Sequence, residues 1–378
     1  MPKKPLIYML VIGIMVVVII SLVFKPLLTN QENKSETQST VATSNEAATD
    51  TNEDPTGNEM KSLVELVAEY SDLQLVDAHN HDASRFQYYH ELSNWEENSV
   101  DRVVLFGDVS EPSAVQTDNI AWGAYEESPE RIIPFFSGVN LLDEAGLQTV
   151  KENLEKGYFG IGEIAAASTY SPALANVAWK TKHPMDGILP EIYKLCAEYK
   201  APVLLHIDPT SGEPVIKLEE ALEAYPDTIF IFGHINAYNT PENVENLLRR
   251  HPNLYADFFA GFTAFNPESA NQLDDFVPII KQFPDRFVLS TDSGYDLPGG
   301  ELKAIEGMYR LIDALGNRDI AQQVAGGNLE RLIRMQPATK TQLLALRKIN
   351  DRRGIKMDLS GLTKEEAGKL LLEQETGH

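Results

Sequence analysis

Eight short apolar runs recur between residues 72 and 292, and helical segments separate each run from the next. The runs are rich in Val, Ile, Leu and Phe, whereas the intervening segments repeat their apolar residues at three- and four-residue spacing. This alternation is typical of βα units that build a parallel sheet. The runs are LQLVDAH near 76, DRVVLFG near 103, RIIPFFSG near 133, YFGIGEI near 161, APVLLHI near 204, TIFIFGH near 231, NLYADF near 255 and RFVLSTD near 289.

The number and spacing of the runs favour one architecture. Their centres lie roughly 24 to 43 residues apart, the length of a βα unit with its loops. Eight such units over roughly 250 residues predict an α/β fold of the (β/α)8 TIM-barrel type, which we place at residues 61–337. A doubly wound open sheet is the alternative, but no glycine-rich nucleotide-binding motif follows the first run.

The segments between the apolar runs have helical patterns, and one of them predicts the environment of the single cysteine. DGILPEIYKLCAEYK places Cys196 on the apolar face of one helix, and TPENVENLLRRHP combines a threonine cap with proline at the first helical position. Cys196 is predicted to face the core, with a reactive thiol as the alternative. One cysteine permits neither an intrachain disulfide nor a cysteine-rich metal site, so any metal must be held by histidine and carboxylate.

Polar residues gather at the carboxyl ends of the runs, where barrel enzymes build their active sites. His79 and His81 are two residues apart, so both side chains point the same way from the first strand. A lone histidine at a strand end is usually structural, but burying this many ionisable groups around one barrel mouth favours a cation among them. The predicted metal-site residues are His79, His81, Glu163, His206, His234 and Asp292.

This ordered set resembles the amidohydrolase superfamily of metal-dependent barrel enzymes, and within it the amidohydrolase-2, or amidohydrolase-related, group. Segments that carry the resemblance are VDAHNH, LLHID, FGHIN, HPNLYADF, VLSTDSG and AGGNLERLI, within roughly residues 73 to 336. The resemblance implies that His79, His81, His206 and Asp292 are metal ligands.

The fourth strand departs from part of that pattern. It has no lysine that could be carboxylated to bridge two metals, and Glu163 stands there instead, as in the TatD-like branch. With two ions, Glu163 and His234 are ligands. With one ion, His234 polarises the substrate carbonyl and Glu163 orients a ligating histidine.

The predicted activity is hydrolysis of an amide, lactone or ester bond in a small molecule by metal-activated water. Nitrogen and oxygen ligands suit Zn²⁺ first, with Mn²⁺ or Fe²⁺ as alternatives, and Asp292 would carry the proton of the water. The runner-up is nonoxidative decarboxylation or hydration of a small carboxylic acid. A non-enzymatic surface module is the third interpretation and predicts no metal dependence.

Three loop residues are predicted to bind substrate. Arg85 follows the two histidines of the first strand and would clamp a carboxylate, with a solvent-facing loop residue as the alternative. Tyr170 and Tyr295, together with Trp179, are candidates for the walls of the pocket, since βα loops shape specificity in barrels. Each aromatic residue has simple packing as its alternative.

The amino-terminal segment predicts a membrane anchor at residues 1–28. Residues 6–24 form an uncharged apolar run of 19 residues, about the length of a membrane-spanning helix, and Lys3 and Lys4 precede it. The catalytic domain would then lie outside the cytoplasm, on a single-pass protein of the cell membrane. A cleaved signal and a buried core helix are the alternatives. Recovery of only a soluble form lacking residues 1–28 would contradict the anchor.

The remaining segments and the net charge complete the prediction. Residues 29–60 carry seven acidic side chains against one Lys and no aromatic residue, which indicates a disordered linker. Residues 338–378 read as a helical appendage with two helices flanking Gly354 and a capping box at Thr363 and Glu366. The net charge of −24 argues against nucleic acid as a partner. The membrane and a small-molecule substrate are the expected partners, and a homo-oligomer is left open.

Overall fold

The computed structural model describes residues 60–376. In this part of the chain eight strands form one parallel sheet, and each strand pairs with the next in sequence order from β1 to β8. The predicted (β/α)8 barrel is therefore confirmed. The strands are β1 (Leu75–Asn80), β2 (Val100–Leu105), β3 (Ile132–Phe136), β4 (Gly160–Ala167), β5 (Val203–Ile207), β6 (Phe230–Phe232), β7 (Leu254–Phe259) and β8 (Phe287–Ser290).

Helices connect successive strands and form the outer layer. One precedes β1, and the last two follow the barrel. The α-helices are α1 (Leu63–Tyr70), α2 (Tyr88–Glu97), α3 (Ala114–Glu127), α4 (Gly146–Lys156), α5 (Leu189–Tyr199), α6 (Glu213–Ala224), α7 (Ile235–Tyr238), α8 (Pro241–Arg250), α9 (Ala260–Phe265), α10 (Leu273–Gln282), α11 (Gly300–Leu315), α12 (Arg318–Gln322), α13 (Asn328–Arg334), α14 (Lys340–Arg353) and α15 (Lys364–Thr376).

A buried carboxylate joins β8 to β1, where no strand ladder connects them. Asp77 accepts hydrogen bonds from the Thr291 backbone nitrogen at 2.9 Å and from the Thr291 hydroxyl at 2.6 Å. Thr291 directly follows β8, and Asp77 lies in the middle of β1. The contact therefore fixes the carboxyl end of the last strand against the first.

The strands are buried on both faces, as expected for a parallel sheet covered by helices. Gly162 on β4 marks a close approach between strands. Its φ is 143°, and a Cβ atom there would lie 2.5 Å from Cβ of Leu204 on β5. A larger residue would push the two strands apart, which would displace Glu163 beside it.

The helices predicted in detail from the sequence are present. Helix α5 buries Ile192 and Cys196 against the barrel, so the cysteine faces the core as predicted. Helix α8 begins with Pro241, and the Thr240 side chain caps it by accepting a hydrogen bond from the Asn243 backbone nitrogen.

Helices α14 and α15 pack at the amino-terminal end of the barrel. The Lys364 ammonium donates to the carbonyl oxygen of Tyr158, just before β4, and Arg102 near the start of β2 pairs with Glu365 at 2.9 Å. The two bonds of the predicted capping box, between Thr363 and Glu366, are present. These helices therefore cover the end of the barrel opposite the predicted site.

The predicted anchor at residues 1–28 lies outside the described residues, as does the linker at 29–60 except for Met60. Within residues 60–376, no helix combines the length and apolar character needed to cross a membrane. The anchor and the linker stay predictions from the sequence.

Lys364 generates a stability prediction, because burial lowers its pKa from 10.5 to about 7. Between pH 7 and 10.5 this lysine is protonated in the unfolded chain but largely unprotonated in the folded chain. The free energy of unfolding therefore rises as the pH increases from 7 toward 10.5, and it decreases as the pH is lowered back to 7. We expect Lys364→Met to flatten this dependence. It should also raise the free energy of unfolding at pH 7 by about 1–4 kcal/mol, measured by denaturant titration.

The matched control is Lys348→Met, which changes an exposed lysine of α14. It should leave the pH dependence as in the wild type. A wild-type stability that does not change between pH 7 and 9.5 would contradict the lowered pKa of Lys364.

Candidate metal centre

Six side chains meet at the carboxyl end of the barrel, in two sets of three. Within each set the candidate ligand atoms all lie within 4.8 Å of one another. They come from five different strand ends, which only the closed barrel brings together. The first set is His79, His81 and Asp292, and the second is Glu163, His206 and His234.

In the first set, Nε2 atoms of two histidines face each other, and hydrogen bonds from the Nδ1 atoms of the same rings fix which nitrogen carries the proton. Nδ1 of His79 donates to the Asp257 carboxylate at 2.7 Å, and Nδ1 of His81 donates to the Gly107 carbonyl oxygen at 2.8 Å. In the neutral rings, Nε2 therefore carries the lone pair in both residues. These two Nε2 atoms are 3.1 Å apart, and each lies 3.5 Å from Oδ1 of Asp292. Three electron-rich atoms at this spacing need a proton or a metal cation between them.

In the second set, three atoms form a nearly equilateral triangle. Oε1 of Glu163 lies 3.0 Å from Nδ1 of His206 and 3.0 Å from Nε2 of His234, and the two nitrogens are 3.0 Å apart. All three side chains are buried. This set therefore has the same composition as the first, two imidazoles and one carboxylate.

Glu163 also reaches the first set. Its Oε2 lies 3.7 Å from Nε2 of His81, and its Oε1 lies 4.0 Å from Nε2 of His79. The carboxylate of Glu163 thus stands between the two sets, within 4.0 Å of histidine nitrogens in each.

The carboxylates and imidazoles of the site stabilise each other's charged forms. Burial lowers the pKa of His79, but the carboxylates of Asp292 and Asp257 outweigh it and raise that pKa to about 10. Burial likewise opposes the charge of Glu163, yet His206 and His234 hold the pKa of this carboxyl well below its ordinary value. The carboxylates of Glu163 and Asp292 are therefore ionised, and the site favours cations, either protons on the imidazoles or metal ions in their place.

The donor set fits divalent metal ions. Ligands arranged tetrahedrally at ~2.1 Å from zinc lie roughly 3.4 Å apart, and the measured separations within the sets run from 3.0 to 3.5 Å. Imidazole and carboxylate ligands suit Zn²⁺, Mn²⁺ and Fe²⁺ alike. The structure therefore fits the class of ion rather than one element.

Backbone strain accompanies the ligand candidates. His234 and Asp292 have φ values of 35° and 46°, in the left-handed region that residues other than glycine seldom adopt. Such residues cost roughly 1–3 kcal/mol each and persist where surrounding contacts hold them. At His234 the holding contact is the hydrogen bond from its backbone nitrogen to Oδ2 of Asp257, at 2.8 Å.

Asp257 on β7 is an orienting residue that the sequence analysis missed. The same carboxylate oxygen receives Nδ1 of His79 from the first set and the backbone nitrogen of His234 from the second. Asp208 takes a similar position behind His206, with Oδ2 3.5 Å from its Nε2. A lone acidic residue inside an apolar run, as in LYADFF, was the available signal.

A cavity of about 800 Å³ opens above the two sets. His81, Glu163, His206, His234 and Asp292 all line it, whereas His79 is fully buried beneath. The size falls within the range of sites that hold drug-sized molecules.

Only some of the residues predicted to bind substrate lie in the wall of the cavity. Tyr295 lines the cavity, but Arg85, Tyr170 and Trp179 do not. Arg85 is exposed, and Tyr170 is held outside by its backbone nitrogen, which donates to Asp208 at 2.9 Å. We assign no substrate contact to these three residues.

Asp257 provides a test of the orienting contacts. Asp257→Asn preserves the volume but weakens the acceptor of the His79 proton, so we expect the affinity for Zn²⁺ or Mn²⁺ to fall about 10- to 100-fold. Competition with a chromophoric chelator measures this affinity, and thermal melting reports on folding. Asp227→Asn, an exposed residue before β6, is the control. Unchanged metal affinity in folded Asp257→Asn would remove the orienting role.

Comparison with known proteins finds several solved structures that are similar to the chain. Solved structures similar to the chain include an uncharacterised TIM-barrel protein from Bordetella bronchiseptica, at 16% identity, 69% coverage of this chain, 98% of that chain and a TM-score of 0.49. A 2,6-dihydroxybenzoate decarboxylase from Rhizobium has 10% identity, the same two coverages and a TM-score of 0.46. A hydrolase of the TatD family from Entamoeba histolytica has 11% identity, again the same coverages and a TM-score of 0.47.

Sequence comparisons identify the family. No curated protein sequence matches the chain. The model of the family described as Amidohydrolase (Amidohydro_2) matches residues 76–335, well over half of the 378 residues. This span begins within β1 and ends just after α13, so it contains all six candidate ligands. The chain therefore belongs to this Amidohydrolase family.

Proposed function

We propose that this enzyme of the Amidohydrolase family is a two-metal hydrolase that cleaves an amide, ester or lactone bond of a small molecule. The observation that carries the proposal is the pair of His–His–carboxylate sets with Glu163 between them, at the floor of a cavity. Each set could hold one ion at the floor of the cavity. Two-metal sites of this kind are suited to hydrolysis.

Each of the two sets would supply the ligands of one ion. His79, His81 and Asp292 would hold one ion, and His206 and His234 the other, with Glu163 shared between them. When bound, divalent cations supply polarisation of the substrate carbonyl and lower the pKa of water. Zn²⁺ and Mn²⁺ are the ions we would test first.

Asp292 is the proposed proton carrier. Its carboxylate lines the cavity, and it follows β8 directly, where the bonds between Asp77 and Thr291 fix the strand end. A carboxylate in this position can accept a proton from the attacking water and return it to the leaving group. His234 is assigned to metal binding rather than to carbonyl polarisation, because its Nε2 lies within 3.0 Å of Glu163 and of His206.

Apolar residues would hold the body of the substrate and exclude bulk water. Leu174 and Val177 come from the loop after β4, and Phe259 and Phe262 from the region of β7 and α9. Together they form the apolar wall that small-molecule sites use for binding.

The runner-up, decarboxylation or hydration of a small carboxylic acid, has less support from the cavity. Among the described residues that line it there is no lysine or arginine. Arg85, the residue predicted to clamp a carboxylate, is exposed outside it. Such a substrate would find no lysine or arginine among the described residues of the cavity lining to pair with its carboxylate.

Asp292→Asn tests the proposal. Removing the proton carrier should lower kcat for amide, ester or lactone hydrolysis by about 10²- to 10⁴-fold. The variant should keep the wild-type thermal melting, because Asn has the same shape. The assay uses protein reconstituted with Zn²⁺ or Mn²⁺, and EDTA should abolish wild-type turnover.

The control is Asp227→Asn, which should retain full activity. Release of CO₂ from aromatic acids without hydrolysis of any ester, amide or lactone would favour the runner-up instead. Turnover that survives complete removal of metal would contradict the two-metal proposal.

A further inference from the structure

We propose that the substrate carries an organic cation, an ammonium or guanidinium group, on the part of the molecule distant from the cleaved bond. This inference rests on the proposed hydrolase function and names the substrate class of the same cavity. Four carboxylates in its wall support the inference, and none of them belongs to the metal sets: Asp108, Glu111, Glu268 and Asp296.

The four wall carboxylates come from separate parts of the chain. Asp108 and Glu111 follow β2, Glu268 follows α9 and Asp296 follows β8. Their convergence on one cavity is therefore a property of the folded barrel and not of one acidic segment. Within residues 60–376 none of them forms an ion pair with a lysine or arginine. Asp108 accepts a hydrogen bond from the Ser84 hydroxyl, a neutral donor, at 2.6 Å.

Basic side chains near the mouth are bound elsewhere. The Lys180 ammonium donates to the carbonyl oxygens of Leu174 and Ala175, and Lys303 pairs with Glu306 at 2.8 Å. Neither lysine lines the cavity. Among the described residues, no lysine or arginine therefore lines the cavity beside the wall carboxylates.

The cavity stays negative when the metal centre is filled. Two divalent cations leave two positive charges after neutralisation by Glu163 and Asp292, and the four wall carboxylates exceed them. An anionic substrate would have to pass this wall to reach the ions. A cationic group is attracted into the cavity and held at the wall, away from the like-charged metals.

Aromatic rings in the same cavity suit an organic cation. Tyr238, Phe262 and Tyr295 line it, and the two tyrosines are 37% and 45% exposed. Alkylammonium and guanidinium groups are attracted to ring faces as well as to carboxylates. The volume of about 800 Å³ leaves room for both the reacting bond and a cationic remainder.

A third metal ion does not account for the wall carboxylates. In the described residues, the groups whose ligand atoms lie close enough to hold an ion are the two sets of the metal centre. The wall carboxylates are too dispersed to form another such group, and this spacing suits a bulky organic cation.

The test compares acetylcholine with 3,3-dimethylbutyl acetate, an ester of the same shape in which carbon replaces the charged nitrogen. With the metal-loaded protein at low ionic strength, we expect kcat/KM for the cationic ester to exceed that for the neutral ester at least about tenfold. The ratio should fall as salt is added. In Glu111→Gln/Asp296→Asn the ratio should fall toward one. Glu130→Gln/Asp227→Asn, which changes two exposed residues at the opposite end of the barrel, should keep the wild-type ratio.

The outcomes separate the two proposals. Cleavage of both esters at equal rates, or a ratio unchanged in Glu111→Gln/Asp296→Asn, would overturn the cation preference and leave the hydrolase function standing. If neither ester is cleaved, calorimetric titration with choline and with 3,3-dimethylbutanol decides. Choline binding that is lost in the cavity double variant supports the cation site without the hydrolase. No preference for choline overturns the inference.

Discussion

Nε2 of His79 and Nε2 of His81 face each other across 3.1 Å, and the rest of the site follows from this contact. Each ring has its other nitrogen committed to an acceptor, the Asp257 carboxylate in one case and the Gly107 carbonyl in the other. Neither ring can therefore turn its lone pair away without leaving a buried polar group unpaired, which costs roughly 1–3 kcal/mol. A cation between the two nitrogens removes the conflict, and Asp292 stands at 3.5 Å from both to complete it.

The packing of the carboxyl-terminal helices and the candidate metal site lie at opposite ends of the barrel. At the amino-terminal end, α14 and α15 cover the strands, with Lys364 buried against Tyr158. At the carboxyl-terminal end, buried aspartates hold the ligand candidates: Asp77 fixes the end of β8, and Asp257 connects His79 with His234. This division follows the general pattern of barrel enzymes, in which the carboxyl ends of strands carry the active site.

Much of this organisation was predictable from the sequence, because strand periodicity and strand-end residues are local signals. The eight apolar runs correspond to β1–β8, and the residues placed at strand ends, such as Glu163 and His206, do converge. The LYADFF run could single out Asp257 as unusual, but not its orienting role, since that role depends on two partners 178 and 23 residues away in the chain. Loop residues were the least predictable. Arg85 lies in a turn with φ of 55°, which no apolar pattern reveals, and its side chain is exposed outside the cavity.

The number and position of bound metal ions are the most direct test of the two-metal site. Crystals of the protein loaded with Mn²⁺, measured near the manganese absorption edge, would locate each ion in an anomalous difference map. We expect two peaks, one bounded by His79, His81 and Asp292 and the other by His206 and His234, with Glu163 between them. A single peak, with Glu163 hydrogen-bonded to a histidine and no ion beside it, would contradict the two-metal assignment.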